Sequence, residues 1–148
     1  MAKLVHPLAG AIALLAIAAF WLSTALSELF ATPELVIAVK TAIPWGFLIL
    51  VPALAATGGT GFKLARGRKI GLIGSKMRRM PFIAANGLIV LIPAALFLSH
   101  KANAHEFDAG FYAVQAIELI AGATNFTLLM RNMIDGLRLT GKVRSKPA

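Results

Sequence analysis

Apolar residues fill four runs of the chain, roughly Leu8–Leu29, Val36–Thr57, Pro81–Ser99 and Ala109–Arg131, and polar residues collect between them. Each run has about the 20 residues that a helix needs to cross a hydrocarbon core ~30 Å thick. The pattern predicts an all-α integral membrane protein of a single domain, a four-helix bundle with four transmembrane helices. Local signals mark the helix ends. Pro7 and Pro81 stand where a first helical turn tolerates proline. Thr32 before Pro33, and Asp108 before the fourth run, are N-cap residue types, and Gly136 is a C-terminal stop signal. Pro44, Pro52 and Pro93 fall inside spans, where neighbouring helices can satisfy the freed carbonyls, so they predict kinks rather than breaks. The first run is about twice as long as the roughly 7–15-residue apolar region of a signal peptide, and no A-x-A site follows it. It reads as a retained helix.

The fourth run is the least uniform. Its segment FYAVQAIELIAGATNFTLLMRN carries Gln115, Glu118, Asn125 and Asn132. Gln115, Glu118, Gly122, Asn125, Leu129 and Asn132 recur at three- and four-residue spacing, which is one face of a helix. In lipid, small and polar faces pack against other helices, so Glu118 is expected inside the bundle. Lys40, on the second helix at a comparable depth, is its nearest cation. Ionisable residues within a membrane are costly and are functional candidates by default; a Glu118–Lys40 pair that only fixes packing is the competing reading. Matching inward faces are His6, Gly10, Ala13, Ile17, Phe20, Thr24 and Ser27 on the first helix. On the second they are Lys40, Pro44, Phe47, Val51, Ala55 and Gly58, and on the third Phe82, Asn86, Ile89, Pro93, Phe97 and His100.

Composition agrees with a multi-pass membrane protein: 58% of residues are hydrophobic, 14% charged, and mean hydropathy is +0.78. There is no cysteine, which excludes disulfides, thiolate metal sites and cysteine nucleophiles. The net charge of +9 would suggest nucleic acid for a soluble protein. Here the cations sit in a loop at 58–80 and a tail at 132–148, with Lys3 and Arg131 on the same side. Of the 15 basic residues only Lys40 and Lys101 fall on the other side, near Glu28, Glu34, Glu106 and Asp108. The positive-inside rule then places both termini and the basic loop in the cytoplasm, in the inner membrane of the cell, with the lipid bilayer and not nucleic acid as partner. ATGGTG at 56–61 reads as a flexible exit from the second helix, and the three glycines of FKLARGRKIGLIGSKM, Gly67, Gly71 and Gly74, argue against a long stable helix in that loop. The rest of it reads equally as a solvated loop or as an amphipathic segment on an anionic leaflet.

Candidate chemistry gathers at the basic end. His6, Asn86, Asn132 and the Gly58–Gly59 pair share a depth and inward faces, and are expected to surround one pocket. Haem b is a candidate occupant, with His6 as axial ligand, Met130 or a neighbouring methionine as the second, and Arg78 and Arg79 on the propionates. A quinone is the other redox candidate. The remaining histidines, His100 and His105, lie with Glu106 at the opposite end, where they could hold zinc or copper or simply form a hydrated loop. No Ser-His-Asp or paired-carboxylate arrangement assembles at one depth, so no reaction type follows. Three functional classes remain. One is a cofactor-binding redox protein with its pocket at the cytoplasmic end. Another is an accessory or assembly subunit, alone as a homo-oligomer or in a membrane complex. The last is a small-solute or proton conductor using Glu118 and Lys40, with Gln115 and Asn125 along the same polar face.

Overall fold

A computed structural model of the chain describes residues 1–67 and 70–141; Arg68, Lys69 and residues 142–148, which include the tail cations Lys142, Arg144 and Lys146, lie outside the described residues. The described residues form helices α1 (Ala2–Phe30), α2 (Pro33–Ala65), α3 (Gly71–Asn86), a π-helical turn (Gly87–Leu91), α4 (Ile92–Asn103) and α5 (Ala109–Leu139). The segment from α3 to α4 is one span, so four helices are long and apolar enough to cross a membrane. They run up and down, which brings the chain's first residues, the α2–α3 turn and the end of α5 to one end. This basic end faces away from the acidic end, which carries the α1–α2 and α4–α5 turns.

The helices are longer than hydropathy alone predicts. At 1.5 Å per residue, the 33 residues of α2 span roughly 50 Å, well beyond a ~30 Å core. Much of the sequence assigned to a basic loop at 58–80 is therefore helical, and the described turn is confined to the few residues between Ala65 and Gly71. The glycines of ATGGTG do not break α2, and neighbours pack on two of them, Gly58 and Gly61. A Cβ at Gly61 would sit 3.1 Å from the His6 ring, and one at Gly58 would sit 3.9 Å from the Met80 methyl. Glycine's helix penalty, which reflects exposed backbone and lost entropy, is tolerated here. The tail assigned to 132–148 is likewise helical as far as Leu139. Gly136 is not its stop: the helix runs on to a cap at Thr140, whose amide bonds to Gly136 O.

Two further end signals shift. Pro7 and Pro81 both lie inside helices, since α1 begins at Ala2 and α3 at Gly71. Thr32 takes the N-cap position with Pro33 following, but its side chain makes no capping bond. Asp108 caps α5 as its residue type predicts, its Oδ1 accepting from the Phe111 amide at 2.9 Å. The π-turn just before Pro93 is a widened turn of the kind that relieves a strained hydrogen-bond ladder, closed by the Ile92 amide on Gly87 O. It supplies the local adjustment that an intramembrane proline needs.

Packing follows small residues. α1 and α2 form the most extensive helix pair. The Phe20 ring lies against Gly46, where a Cβ would come within 2.6 Å of a ring carbon. The main apolar core is Ala13, Leu14, Ile17, Leu50, Ala53, Ile83 and Leu129. A smaller one, Val36, Leu98, Ala102 and Phe111, closes the acidic end. The inward face of α5 is as its spacing predicts, with Gln115, Gly122, Asn125, Leu129 and Asn132 buried. The third span is turned by about one residue from the expected face. Ile83, Ala94, Ala95, Leu98 and Ala102 are buried, while Phe82, Ile89, Pro93, Phe97 and His100 are exposed. Val51 and Ala55 of α2 also face outward, and Leu50 and Ala53 take their place. Apolar residues surround the true face on both sides in these spans, so the sequence carries little contrast to locate it.

Candidate functional site: a buried ionic cluster

The α1–α2 link is only two residues, Ala31 and Thr32. It folds α2 back on α1 so that Glu28, in the last turn of α1, and Lys40, about two turns into α2, come to a common depth. The Asp108 cap starts α5 at Ala109, which places Gln115 and Glu118 on one face, three residues apart, opposite Lys40. Lys40 is 1% exposed. Its Nζ donates to Glu118 Oε2 at 2.8 Å and lies 4.0 Å from Glu28 Oε1. Gln115 Nε2 donates to the same Glu118 oxygen at 3.3 Å. Lys40 and Glu118, paired from depth alone in the sequence, are thus in direct contact, with Gln115 beside them.

Two carboxylates share one ammonium here. Glu28 and Glu118 side chains are 13% and 12% exposed. Glu28 Oε1 and Gln115 Oε1 are buried with no hydrogen-bond partner. At 4.0 Å, Lys40 attracts Glu28 electrostatically but does not hydrogen-bond it. Outward of the cluster, Val36 and Phe111 lie one turn beyond Lys40 and Gln115 and belong to the small apolar core that closes this end. Inward, Glu118 borders a half-open pocket of about 60 Å³ whose walls are almost wholly apolar, among them Ile17, Phe20, Ile43, Phe47 and Leu50. Trp21 is turned into the bundle rather than to the interface: its Nε1 donates to Leu119 O at 2.9 Å, across Gly122.

The polar face of α5 continues toward the basic end at intervals of seven residues, roughly 10 Å each. Asn86 and Asn125 tie α3 to α5. Asn86 Nδ2 donates to Asn125 Oδ1 at 2.9 Å and to Ala121 O at 3.0 Å, while Asn125 Nδ2 donates to Ile83 O at 3.2 Å. Further on, Arg79 donates to Asp135 Oδ2 at 2.6 Å and to Asn132 Oδ1 at 3.2 Å. Asn132 donates to the Met80 sulfur at 3.4 Å, and Arg138 lies 3.8 Å from the other Asp135 oxygen.

The residues expected around one basic-end pocket take part in three separate contacts. His6 bonds α2, its Nδ1 3.1 Å from Thr57 O and 3.2 Å from Thr60 Oγ1. Asn86 is used on Asn125, and Asn132 on Arg79 and Met80. Gly58 faces Met80, whereas Gly59 faces open space and is exposed. Met130 packs on the main core, and Arg78 is exposed. At the acidic end, His100, His105 and Glu106 are exposed. Lys101 bridges Glu106 and Asp108 at 3.0 and 2.6 Å. The Lys101 ammonium and the Phe111 amide hold the Asp108 carboxyl below its ordinary range. Among the described residues no three His, Asp or Glu side chains converge as metal ligands.

Glu28 and Asp135 are the members of these clusters that the sequence pattern did not single out. Glu28 is four residues after Thr24 on an inward face, and a two-residue turn puts it level with Lys40. Asp135 is three residues after Asn132, but it lies past the end of the apolar run. In comparisons with protein-family models, curated proteins and solved structures, nothing matches the chain.

Proposed function

We propose that this multi-pass membrane protein conducts protons or a small cation, and that the Lys40–Glu118–Glu28 cluster is its working centre. The reading places the protein in the cytoplasmic membrane with the basic end inside. The observation that carries it is a lysine at 1% exposure, held by carboxylates from two other helices, in a chain whose helices are suited to lipid. A charge so placed is expensive, and intramembrane ionisable groups are candidates for ion and proton routes by default. The cavity beside Glu118 and the amide ladder on α5 lie inward of the cluster. The asparagines supply polar groups in the direction a proton would take.

The test is flux. The purified protein in liposomes, driven by a potassium diffusion potential, should acidify the lumen faster than protein-free vesicles, as read by an entrapped pH dye. Glu118→Gln should return the rate to background. Wild-type vesicles no faster than empty ones would sink the reading and leave an accessory subunit whose polar face only joins helices. Orientation is tested separately: cysteines at Ala104 and Gly67 should label from opposite sides of sealed cells, Ala104 from outside.

A haem reading has one specific support. Thr57 O can only accept, so His6 Nδ1 carries the proton and Nε2 is left as the basic nitrogen. A backbone carbonyl on the other ring nitrogen is how iron-ligating histidines are oriented. Expression with added haem precursor should then give a Soret band that His6→Ala abolishes; colourless wild-type protein would end this reading.

A further inference from the structure

The ionic cluster does not balance. It contains Glu28, Glu118 and Lys40, and with all three ionised it carries one uncompensated negative charge in a largely covered site. Its hydrogen bonding is incomplete in a matching way. The two side-chain atoms left without partners, Glu28 Oε1 and Gln115 Oε1, are both acceptors, so the cluster lacks a donor. Gln115 is 4% exposed and is tied to the cluster by its amide hydrogen bond to Glu118. Its amide could not simply be turned over, because that would set its oxygen against the Glu118 carboxylate. One proton supplies both the missing charge and the missing donor.

The geometry also says which carboxyl takes it. Glu118 Oε2 already accepts from Lys40 at 2.8 Å and from Gln115 at 3.3 Å. Hydrogen bonds to the charged form favour ionisation. Glu28 Oε1 accepts none, is buried, and sits in the field of Glu118 as well as of Lys40. When two carboxylates share a site, the less well-solvated one is protonated. The charged groups that act on Glu28 from the other elements are Lys40 on α2 and Glu118 on α5.

We infer that Glu28 is the proton-binding group of this cluster, a neutral carboxylic acid at neutral pH, beside a fixed Lys40–Glu118 ion pair that does not exchange. This deepens the conduction reading and rests on the same cluster, yet the proton's position is measured without any flux. Loss of flux with Glu28 protonated would end conduction alone, and flux with Glu28 ionised would end this inference alone.

The lipid-soluble reagent dicyclohexylcarbodiimide modifies carboxyls that are protonated in apolar surroundings. Applied at neutral pH to the wild-type protein in lipid vesicles, and read by peptide mass spectrometry, it should modify Glu28 and leave Glu118 untouched. Replacing choline chloride with sodium chloride at equal ionic strength should not protect Glu28. Charge counting sets the variants. Glu118→Gln leaves one carboxylate opposite one ammonium, so Glu28 should ionise and its modification fall severalfold. Lys40→Met leaves two carboxyls with no cation, so Glu118 should become modified as well. The wild-type result is decisive even if the Lys40 variant fails to fold. Modification of Glu118 in place of Glu28, no modification at Glu28, or protection of Glu28 by sodium, which would make the missing charge a metal cation, would each overturn the inference.

Discussion

Both ends of the bundle join α5 to a neighbour through an ion pair, and they do so at different depths. At the acidic end Lys40 is 1% exposed and the cluster sits beneath an apolar plug. At the basic end Asp135 is 8% exposed, but its partners Arg79 and Arg138 are 26% and 34% exposed and reach toward water. The charge balance is reversed as well: two carboxylates surround one cation at the first site, and two cations surround one carboxylate at the second. Arginines on long stems can keep part of their charge hydrated, so an excess of cations near a helix end costs little. A buried excess of carboxylate has no such outlet. The comparison teaches that the same pairing chemistry is anchorage where water is near and a protonation site where it is not.

Removing Lys40 should break the acidic end most severely. Lys40→Met leaves two partly buried carboxyls without a counter-ion, and its cost should approach the ~3–5 kcal/mol of breaking a buried pair. Unfolding of the variant in mixed detergent micelles should shift accordingly, and Lys40→Met with Glu118→Gln should recover part of the loss. An unchanged midpoint for Lys40→Met would show that water reaches the cluster and that the two ends do not differ.

Asp135→Leu should cost less than Lys40→Met, because its arginines can turn to solvent. Its effect should fall between the ~1 kcal/mol of an exposed pair and the cost of the buried one. A larger loss than for Lys40→Met would reverse the ranking of the two sites.

Gly122→Ala sharpens the comparison one turn inward of Glu118. The new Cβ would meet Trp21 Cδ1 at 2.8 Å and push the indole off Leu119 O. Overpacking of this kind costs about 1–3 kcal/mol. Trp21 fluorescence should shift to the red as the ring loses its place, and an unchanged spectrum would mean that the α1–α5 contact has slack.

The smallest effect concerns the fully exposed Asp108, which caps α5 and pairs with Lys101. Its carboxyl is held below the ordinary range, first by Lys101 and then by the Phe111 amide. Its contribution is therefore complete above the unfolded value of about 3.9 and fades only as pH falls through the lower folded value. Stability measured from pH 8 to 5 should be the same in wild type and Asp108→Ala apart from a constant offset. The two curves should converge below pH 4; convergence already at pH 6 would mean a different group is titrating.

Hydropathy alone made the class, the number of spans and the up-down arrangement legible, because lipid tolerates only long apolar helices with satisfied backbones. The inward face of α5 was legible for a related reason: Gln115, Glu118, Asn125 and Asn132 contrast with the Ile, Leu and Phe around them. The faces of α2 and the third span offered no such contrast, and neither did the helix ends beyond the hydrocarbon core. There Gly58 and Gly61 carry tertiary contacts, from Met80 and His6, that the sequence does not show. The site divides in the same way. Lys40 and Glu118 announce themselves as charges in apolar runs, so their pairing follows from depth. Glu28 looks like an ordinary charge at a helix end until the two-residue turn folds it beside Lys40. Its unpaired oxygen, and the imbalance that assigns it a proton, exist only once three helices converge, because burial and charge count belong to the assembled site and to no residue alone.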